Sequence, residues 1–390
     1  MPSAIAAARI RALELPPFDP LNLRAAELRA AGHDVVSLGQ AVPFFAPPDA
    51  ALRAARAALD TPEVNRYVTD PGLPALRAVL ASRLSSTTGA AISAGDLVIT
   101  AGANHAFTLA LTTMVDPGDE VVLPSPYFTN HQMAVCALGA RAVEAPIGDR
   151  TGFSVTWTDI EPHVTARTRA VVLCNPSNPT GAPIDGSEGP RIVAEAARRG
   201  IIVFSDETYM QFVYEGEHWS AASAPGWRDN VAVIGTFSKS FGMMGWRVGF
   251  MLADASACEQ AVKVQDEMII CAPVISQIAA EAAVRENWDH AAHFHGALRE
   301  RRDVLARELS SVPGIDWSPQ RAGLFAFARI AGCTDSKELS SALLEEALVV
   351  TIPGATFGRS GEGFLRLSYG YAAVDRLREA ARRLTRFLVS

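Results

Sequence analysis

The sequence predicts an α/β fold, with a mostly parallel, doubly wound sheet in a large domain and a smaller α+β domain beside it. Three features predict it. From residue 96 onwards, short apolar runs bounded by turn residues alternate with stretches of helical periodicity. The runs are unbroken and rich in β-branched residues, as expected of parallel strands that are buried on both faces. Polar segments follow the ends of these runs, at the edge where open α/β sheets bind ligands.

The division into two domains is expected from the length, because 390 residues exceed what one hydrophobic core usually holds. We predict a large domain over residues 46–285. The small domain would combine residues 1–45 with residues 286–390, since the chain becomes charged and helical after residue 285 and then gives two short strands and a closing helix.

The chain before the predicted sheet is expected to be mainly helical. Apolar residues at helical spacing indicate a helix over 22–31, after the proline-rich segment 16–20. A short strand is expected over 35–38, followed by helices over 49–59 and 73–86.

The predicted strands of the large sheet are apolar runs that each end at a turn or polar residue. They cover residues 97–100, 120–123, 170–174, 201–204 and 231–234, with a helix over 105–114 after the first of them. In the small domain, strands are expected over 324–327 and 365–368 and a helix over 373–388.

Composition excludes several classes of partner. A net charge of −7 leaves no basic stripe for a nucleic acid. No apolar run reaches the roughly 18 residues that a membrane helix needs, so no membrane partner is expected. The N-terminus lacks the pattern of a signal peptide. Five widely spaced cysteines without a CxxC pair indicate reduced thiols and a cytoplasmic protein.

Lys239 is the most informative residue of the chain. Of the 35 lysines and arginines, only Lys239, Lys263 and Lys337 are lysines. An amine becomes a nucleophile once its pKa is lowered, whereas a guanidinium does not. Lys239 lies in the uncharged run 235–242, and Arg247 follows eight residues later. Hydroxyls, an amine and an arginine in this order look like an anchor for pyridoxal phosphate, although a surface lysine on a serine-rich loop is the alternative.

Pyridoxal chemistry needs four kinds of partner. The aldehyde needs an amine, and the pyridine nitrogen needs a buried carboxylate that keeps it protonated. The phenolic oxygen needs hydrogen-bond donors, and the phosphate needs a helix N-terminus, hydroxyls and an arginine. The sequence offers a candidate for each of these roles.

The chain resembles a class I/II aminotransferase of the fold-type I pyridoxal-phosphate enzymes. The matching segments follow the family order between residues 38 and 370, which is nearly the whole chain. They are Tyr67 with 71–73 and 76–77, Asp116–Val121, Asn178–Gly181, Ser205–Tyr209, Ser238 and Lys239 with Arg247, and Arg366. Each segment is a weak signal alone, but their order and spacing together are specific.

The resemblance implies three catalytic residues. Lys239 would bind the cofactor aldehyde covalently and later carry a proton between the substrate Cα and the cofactor. Asp206 would pair with the pyridinium nitrogen, and Tyr209 with Asn178 would hydrogen-bond the phenolic oxygen. The structural alternatives are a helix cap for Asp206, a packed aromatic for Tyr209 and a turn residue for Asn178.

The resemblance also implies a phosphate site. The backbone N–H groups of Ala103 and Asn104, at the start of a helix, would bind the phosphate together with Thr236, Ser238 and Arg247. A helix dipole and a guanidinium would together offset the charge of the dianion.

Two tyrosines would contact the cofactor from outside these segments. Tyr127 would stack on the pyridine ring, and Tyr67 would reach the phosphate of a neighbouring subunit. The second contact implies a homodimer with shared active sites. An ordinary core position is the alternative for both side chains.

The substrate would bind beside the cofactor. By the resemblance, Arg366 clamps the substrate α-carboxylate, and Gly39, Ala41 and Asn178 border the substrate. The family stretch LGQGFPDF reads LGQAVPFF here, over residues 38–45. Ala41 replaces a glycine, and its Cβ would narrow the space beside the substrate.

Two further features concern the substrate side chain. Asn104 stands where some aspartate aminotransferases carry a lysine, which weighs against a dicarboxylate substrate bound in their way. Five residues are expected to line an apolar or aromatic pocket instead. They are Phe18, Gly39, Phe44, Phe45 and Tyr127.

The activity implied by the resemblance is transamination from an L-amino acid to a 2-oxo acid by a ping-pong mechanism, not restricted to dicarboxylates. The altered stretch 38–45 leaves open a lyase, cyclase or oxidase that uses the same cofactor in specialised metabolism. A cofactor-binding sensor domain would need a DNA-binding module before residue 38, and a nicotinamide dehydrogenase would need a GxGxxG motif after a strand. No metal site is expected, because His290, His293 and His295 lack further ligands nearby.

Overall fold

The structure of the protein, a computed structural model, describes residues 5–148 and 152–389. Its helices are α1 (Ala8–Arg11), α2 (Phe18–Ala30), α3 (Asp49–Leu59), α4 (Pro74–Thr88), α5 (Ala103–Met114), α6 (Thr129–Leu138), α7 (Trp157–Ile160), α8 (Glu188–Arg198), α9 (Phe237–Ser240), α10 (Ala255–Ile269), α11 (Val274–Glu286), α12 (His295–Leu309), α13 (Ser336–Glu346) and α14 (Val374–Val389). Its strands are β1 (Val36–Ser37), β2 (Leu97–Thr100), β3 (Glu120–Ser125), β4 (Arg141–Pro146), β5 (Thr168–Cys174), β6 (Ile202–Asp206), β7 (Val231–Thr236), β8 (Gly249–Leu252), β9 (Ile315–Asp316), β10 (Phe325–Ile330), β11 (Val349–Val350), β12 (Ile352–Pro353) and β13 (Phe364–Ser368).

A seven-stranded sheet with the order β2-β8-β7-β6-β5-β3-β4 forms the centre of the larger part of the chain. Its neighbouring strands pair in parallel, except that β8 runs antiparallel to both β2 and β7. The predicted α/β class with a mostly parallel sheet is therefore confirmed.

Helices cover both faces of this sheet, because successive residues of each central strand point to opposite sides. Val203 of β6 packs in one buried cluster with Leu80 of α4. Its neighbour Phe204 packs in the cluster on the other face, with Phe107 of α5. Strands that are buried on both faces need an unbroken apolar run, which is the pattern from which the sheet was predicted.

Two strands of the sheet were not predicted. β4 is an edge strand, and the run Arg141–Pro146 interrupts its apolar residues with charges and ends in proline. β8 has four residues and begins at Gly249. A Cβ on Gly249 would lie 2.6 Å from the carbonyl oxygen of Gly235 on β7, so glycine is required for this close approach. Neither sequence contains the β-branched run that identified the other strands.

The first long helix begins earlier than predicted. The sequence predicts a break over residues 16–20 before a helix over 22–31, whereas α2 starts at Phe18 and includes Pro20. Proline is tolerated in the first helical turn, where its missing N–H would have no helical partner. As a result Phe18 and Asp19 belong to α2.

The smaller part of the chain contains strands from both ends of the sequence. Four antiparallel strands form a sheet with the order β12-β13-β10-β9. The N-terminal strand β1 pairs in parallel with β11, with Val36 opposite Val349. The boundaries after residues 45 and 285 stay predictions, because Tyr209 and Phe212 of the larger part share a buried cluster with Leu324 of the smaller part.

Among the described residues, the structure contains no helix that is long and apolar enough to cross a membrane.

Candidate active site

A cavity of about 350 Å³ lies at the carboxyl ends of the central strands, closed on one side by the N-terminal segment. It brings together most of the predicted site residues. Those that line it are Gly39, Ala41, Ala103, Asn104, Asn178, Asp206, Tyr209, Thr236, Ser238, Lys239, Arg247 and Arg366. Tyr67 and Tyr127 are absent from this lining.

Lys239 lies on the single-turn helix α9, directly after the end of β7. Burial, together with the positive charges of Arg366 and Arg247, lowers the pKa of Lys239 to about 8. A substantial fraction of this amine is therefore neutral close to neutral pH, as a nucleophile requires.

Asp206 is the last residue of β6 and is buried at the base of the cavity. Its Oδ2 lies 2.9 Å from Nε2 of His131, and its Oδ1 accepts a hydrogen bond from the backbone N–H of Thr208 at 3.0 Å. Burial alone would raise the pKa of Asp206, but the hydrogen bonds from His131 and Thr208 outweigh it and lower the pKa. The carboxylate is therefore kept ionised inside the protein.

His131 was not predicted as a site residue. It lies on α6 and is itself buried, with its ring against Phe107 at 4.5 Å between centroids. A histidine in the first turn of a helix carries no motif of its own. Its role becomes visible only when the sheet places α6 beside the end of β6.

Arg366 lies on β13 and is buried at the opposite wall of the cavity. Its Nη1 donates to Oδ1 of Asn178 at 2.9 Å, and its Nη2 donates to the carbonyl of Gly39 at 2.7 Å. Its Nε is buried without a hydrogen-bond partner among the described residues. Burial lowers the pKa of Arg366 to about 10, so the guanidinium stays charged at neutral pH. A buried, charged guanidinium with an unused donor is suited to a carboxylate.

The residues that were predicted to bind a phosphate lie around the start of α5. The helix starts at Ala103 without a side-chain cap, so its first N–H groups remain available for an anion. Gly102 has a φ of +89°, and a Cβ there would lie 2.5 Å from Nη2 of Arg247. Arg247 donates to the carbonyls of Met244 and Ala101, at 3.0 and 3.2 Å. These partners are neutral and leave its charge available for a phosphate.

The hydroxyls of Thr236 and Ser238 lie on the same side of the cavity. Their Oγ atoms are 3.0 Å apart, and Thr236 Oγ1 also accepts the backbone N–H of Ser238 at 3.1 Å, as an N-cap of α9. Both side chains are buried, so the cap fixes the turn that carries Lys239.

Tyr127, which was expected to stack on the cofactor ring, does not line the cavity, whereas its neighbour Phe128 does. Tyr127 faces away from the cavity, where its hydroxyl donates to Oε1 of Glu144 at 3.1 Å and its N–H donates to Phe357. Phe128 lines the cavity, with its ring 5.4 Å from that of His131. The side chains of adjacent residues in an extended segment point in opposite directions. A prediction that is wrong by one position therefore places the ring on the wrong side of the backbone.

Tyr67 is also outside the cavity, and 77 % of its surface is exposed. The alternative of an ordinary core tyrosine is therefore excluded. The predicted contact of Tyr67 with a neighbouring subunit stays a prediction.

The predicted aromatic pocket is largely wrong. Phe44 and Phe45 pack against Phe294, with ring centroids 5.6 and 4.3 Å away, and do not line the cavity. Phe18 does line it, with its ring 5.4 Å from the guanidinium of Arg366. The start of α2 also brings two polar residues to the wall, Asp19 and Asn22, which no motif in the sequence indicates.

The three histidines near residue 290 have separate partners. His290 lies against the carbonyl of Ala46 at 3.1 Å, and His295 against that of Gln211 at 2.6 Å. His293 lies 2.7 Å from the amide nitrogen of Asn287. Within the described ranges, no group of three or more potential ligands could hold a metal ion.

The family model described as aminotransferase class I and II matches residues 33–384. A probable aspartate/prephenate aminotransferase of Aquifex aeolicus is 32% identical, over 98% of this chain and 98% of that protein. Aromatic-amino-acid aminotransferase 2 of Thermococcus litoralis is 32% identical, over 91% of this chain and 92% of that protein.

Solved structures have the same fold. The aromatic aminotransferase from Pyrococcus horikoshii superimposes with a TM-score of 0.87 at 32% identity, over 94% of this chain and 98% of that one. The aspartate aminotransferase of Thermotoga maritima gives a TM-score of 0.92 at 28% identity, over 99% of this chain and 100% of that one.

Proposed function

Because the chain belongs to the class I and II aminotransferases, we propose that it binds pyridoxal phosphate in the cavity at Lys239. There it moves an amino group from an L-amino acid to a 2-oxo acid by a ping-pong mechanism. The observation that carries this proposal is an amine of lowered pKa that shares one cavity with a buried ionised carboxylate and a buried arginine. The relatives are named as aminotransferases, which does not favour the lyase, cyclase or oxidase alternative.

The residues present fit the cofactor. When bound, pyridoxal phosphate supplies an aldehyde and a ring that accepts electrons. Lys239 Nζ would hold the aldehyde carbon and afterwards carry the proton of the substrate Cα. Asp206, kept ionised by His131, would hold a proton on the ring nitrogen. Tyr209 would donate to the phenolic oxygen.

The phosphate of the cofactor would have a site of its own at the start of α5. The start of α5 at Ala103 and Asn104, the hydroxyls of Thr236 and Ser238, and Arg247 would bind the phosphate. The close approach of Arg247 to Gly102 supports this assignment, because it brings the guanidinium beside the first N–H groups of α5.

The substrate carboxylate would bind Arg366. Asn178 and Gly39 each occupy one of its nitrogen atoms and so hold the guanidinium in a fixed orientation. An amino acid and a 2-oxo acid both carry this carboxylate, so one arginine serves both half-reactions. Asn178 thereby belongs to the substrate site and to the neighbourhood of the phenolic oxygen.

A homodimer is part of the proposal, with Tyr67 reaching the phosphate of the partner. The supporting observation is that Tyr67 is exposed and that its segment lies beside the apolar end of α10. Gln265 of α10 donates to the carbonyl of Asp70, and Met268 and Ile269 at the end of α10 are exposed. Light scattering of the purified protein tests the dimer.

We further propose a cytoplasmic enzyme of amino acid metabolism with a biosynthetic role. The support for the compartment is that Cys136, Cys174, Cys258, Cys271 and Cys333 are free thiols, which persist where the environment is reducing.

The proposed reaction is tested with a panel of L-amino acids added to cofactor-loaded enzyme without an oxo acid. We expect at least one donor to yield pyridoxamine phosphate and a 2-oxo acid in equal amounts. A product formed without pyridoxamine phosphate would favour a lyase, cyclase or oxidase. Lys239→Ala should abolish the reaction, whereas Lys263→Ala, which changes an exposed lysine of α10, should retain it.

A further inference from the structure

We propose that Asp19, assisted by Asn22, selects amino donors whose side chain carries a positive charge, an amine or a guanidinium. This inference rests on the proposed transamination and names the substrate class of the same cavity. It starts from the beginning of α2, which forms one wall of the cavity.

The first turn of α2 lies beside the site for the substrate carboxylate. The ring of Phe18 is 5.4 Å from the Arg366 guanidinium, and Asp19 follows it directly. Asn22 lies three residues after Asp19, on the same side of the helix, and both line the cavity. If Arg366 holds the carboxylate and Lys239 the Cα, as proposed, the substrate side chain would extend toward the wall that contains Asp19 and Asn22.

The charges of the cavity lead to the same assignment. Its charged lining residues within the described chain are Asp19, Asp206, Lys239, Arg247 and Arg366. Four of them have partners in the proposed reaction: the ring nitrogen, the aldehyde, the phosphate and the α-carboxylate. Asp19 is the charge that remains. Among the described lining residues of one subunit no cation remains for a second carboxylate, so aspartate and glutamate would meet a repelling group there instead of an attracting one.

The carboxylate of Asp19 is not used within the described chain. Among the described residues, none donates a hydrogen bond to this carboxylate or forms a salt bridge with it. Asp19 is exposed, so its carboxylate lies at the mouth of the cavity, where a long side chain ending in a cation would reach it.

A purely structural role for Asp19 is the competing explanation. An acidic residue in the first turn of a helix interacts favourably with the helix dipole. Asp49 also lies in the first turn of a helix: it is the first residue of α3, directly after Pro48, whereas Asp19 is the second residue of α2. Asp49 does not line the cavity, which makes Asp49→Asn a matched control.

The test compares L-ornithine and L-arginine with L-norleucine, which has nearly the shape of ornithine but no charge, and with L-glutamate. The rate of pyridoxamine phosphate formation is measured for cofactor-loaded enzyme. We expect the cationic donors to have the highest kcat/KM. Asp19→Asn should lower that value roughly tenfold through KM, without a comparable change for norleucine. Asp19→Glu should keep the preference, and Asp49→Asn should match the wild type.

Three results would overturn the inference while leaving transamination intact. The first is an equal kcat/KM for ornithine and norleucine, and the second is a higher kcat/KM for glutamate. The third is an equal loss of kcat/KM for all donors in Asp19→Asn. A loss of thermal stability in Asp19→Asn with unchanged selectivity would assign the residue to the helix alone. If no amino acid yields pyridoxamine phosphate, the proposed function itself is wrong, and the inference falls with it.

Discussion

Nη1 of Arg366 donates a hydrogen bond to Oδ1 of Asn178 over 2.9 Å, across 188 positions of sequence. The bond joins β13 of the smaller part of the chain to the loop after β5 of the larger part. One buried contact therefore links the site proposed for the substrate carboxylate to the site proposed for the cofactor. The effects of substitutions at Arg366 and Asn178 on kcat/KM should therefore not be additive.

Arg366→Lys should lower kcat/KM for every amino donor by about 100-fold. A lysine keeps the charge but cannot bond Asn178, Gly39 and a carboxylate with one planar group. Single-turnover rates with a common donor measure the effect, and Arg307→Lys on the exposed face of α12 is the control. A variant that retains wild-type kcat/KM would remove Arg366 from the substrate site.

Replacement of His131 should shift the pH dependence of the reaction. In His131→Leu, burial of Asp206 is no longer outweighed by the hydrogen bond, so the pKa of the carboxyl rises. The carboxyl then becomes protonated as the pH falls, and activity should be lost first on the acid side. We expect the acid limb of the kcat/KM profile to move to higher pH, with a loss of roughly tenfold or more near neutrality.

His131→Asn serves as the comparison, because an amide restores a hydrogen-bond donor near Asp206. Its acid limb should lie between those of the wild type and His131→Leu. An unchanged limb in His131→Leu would mean that this pair does not control the protonation of the site.

Gly102→Ala should weaken cofactor binding by at least about tenfold. The added Cβ would lie 2.5 Å from Nη2 of Arg247 and would displace the guanidinium from the start of α5. Gly32→Ala isolates the strain of a left-handed backbone, since Gly32 has a φ of +90° and nothing within 4 Å of a built Cβ. Titration of the apoenzyme with pyridoxal phosphate measures both, and equal affinities in the two variants would refute the crowding argument.

Phe128→Leu and Tyr127→Phe should affect different properties, the first cofactor affinity and the second stability. Loss of the Phe128 ring should reduce cofactor affinity by about fivefold or more, because a ring face in the cavity is removed. Tyr127→Phe loses only a hydrogen bond to Glu144 and should cost about 1 kcal/mol of stability with unchanged cofactor affinity. Cofactor titration and thermal unfolding distinguish the two. The reverse result would restore Tyr127 as the ring contact.

Two of the residues that could be predicted from the sequence lie at the end of a buried strand. Asp206 is the last residue of β6, and Lys239 lies on the helical turn that follows β7. The carboxyl ends of parallel strands lie at one edge of a sheet. Arg366 could be recognised as a charge between apolar residues of a strand. These positions depend on local pattern alone.

The residues that were missed depend on how elements are arranged in space. His131 contacts Asp206 only because α6 packs beside β6, which no local pattern encodes. Tyr127 and Phe128 could not be told apart, because the side that each faces depends on the backbone of an irregular segment. Asp19 was missed because α2 was predicted to begin four residues too late, beyond a proline that the helix accommodates.

Borohydride reduction of the cofactor-loaded protein, followed by peptide mass spectrometry, tests the central assignment most directly. The method fixes the aldehyde carbon permanently to whichever amine holds it. We predict a single phosphopyridoxyl adduct, on Lys239, with Lys263 and Lys337 unmodified. An adduct on another lysine, or none on a protein supplied with the cofactor, would contradict the role given to Lys239.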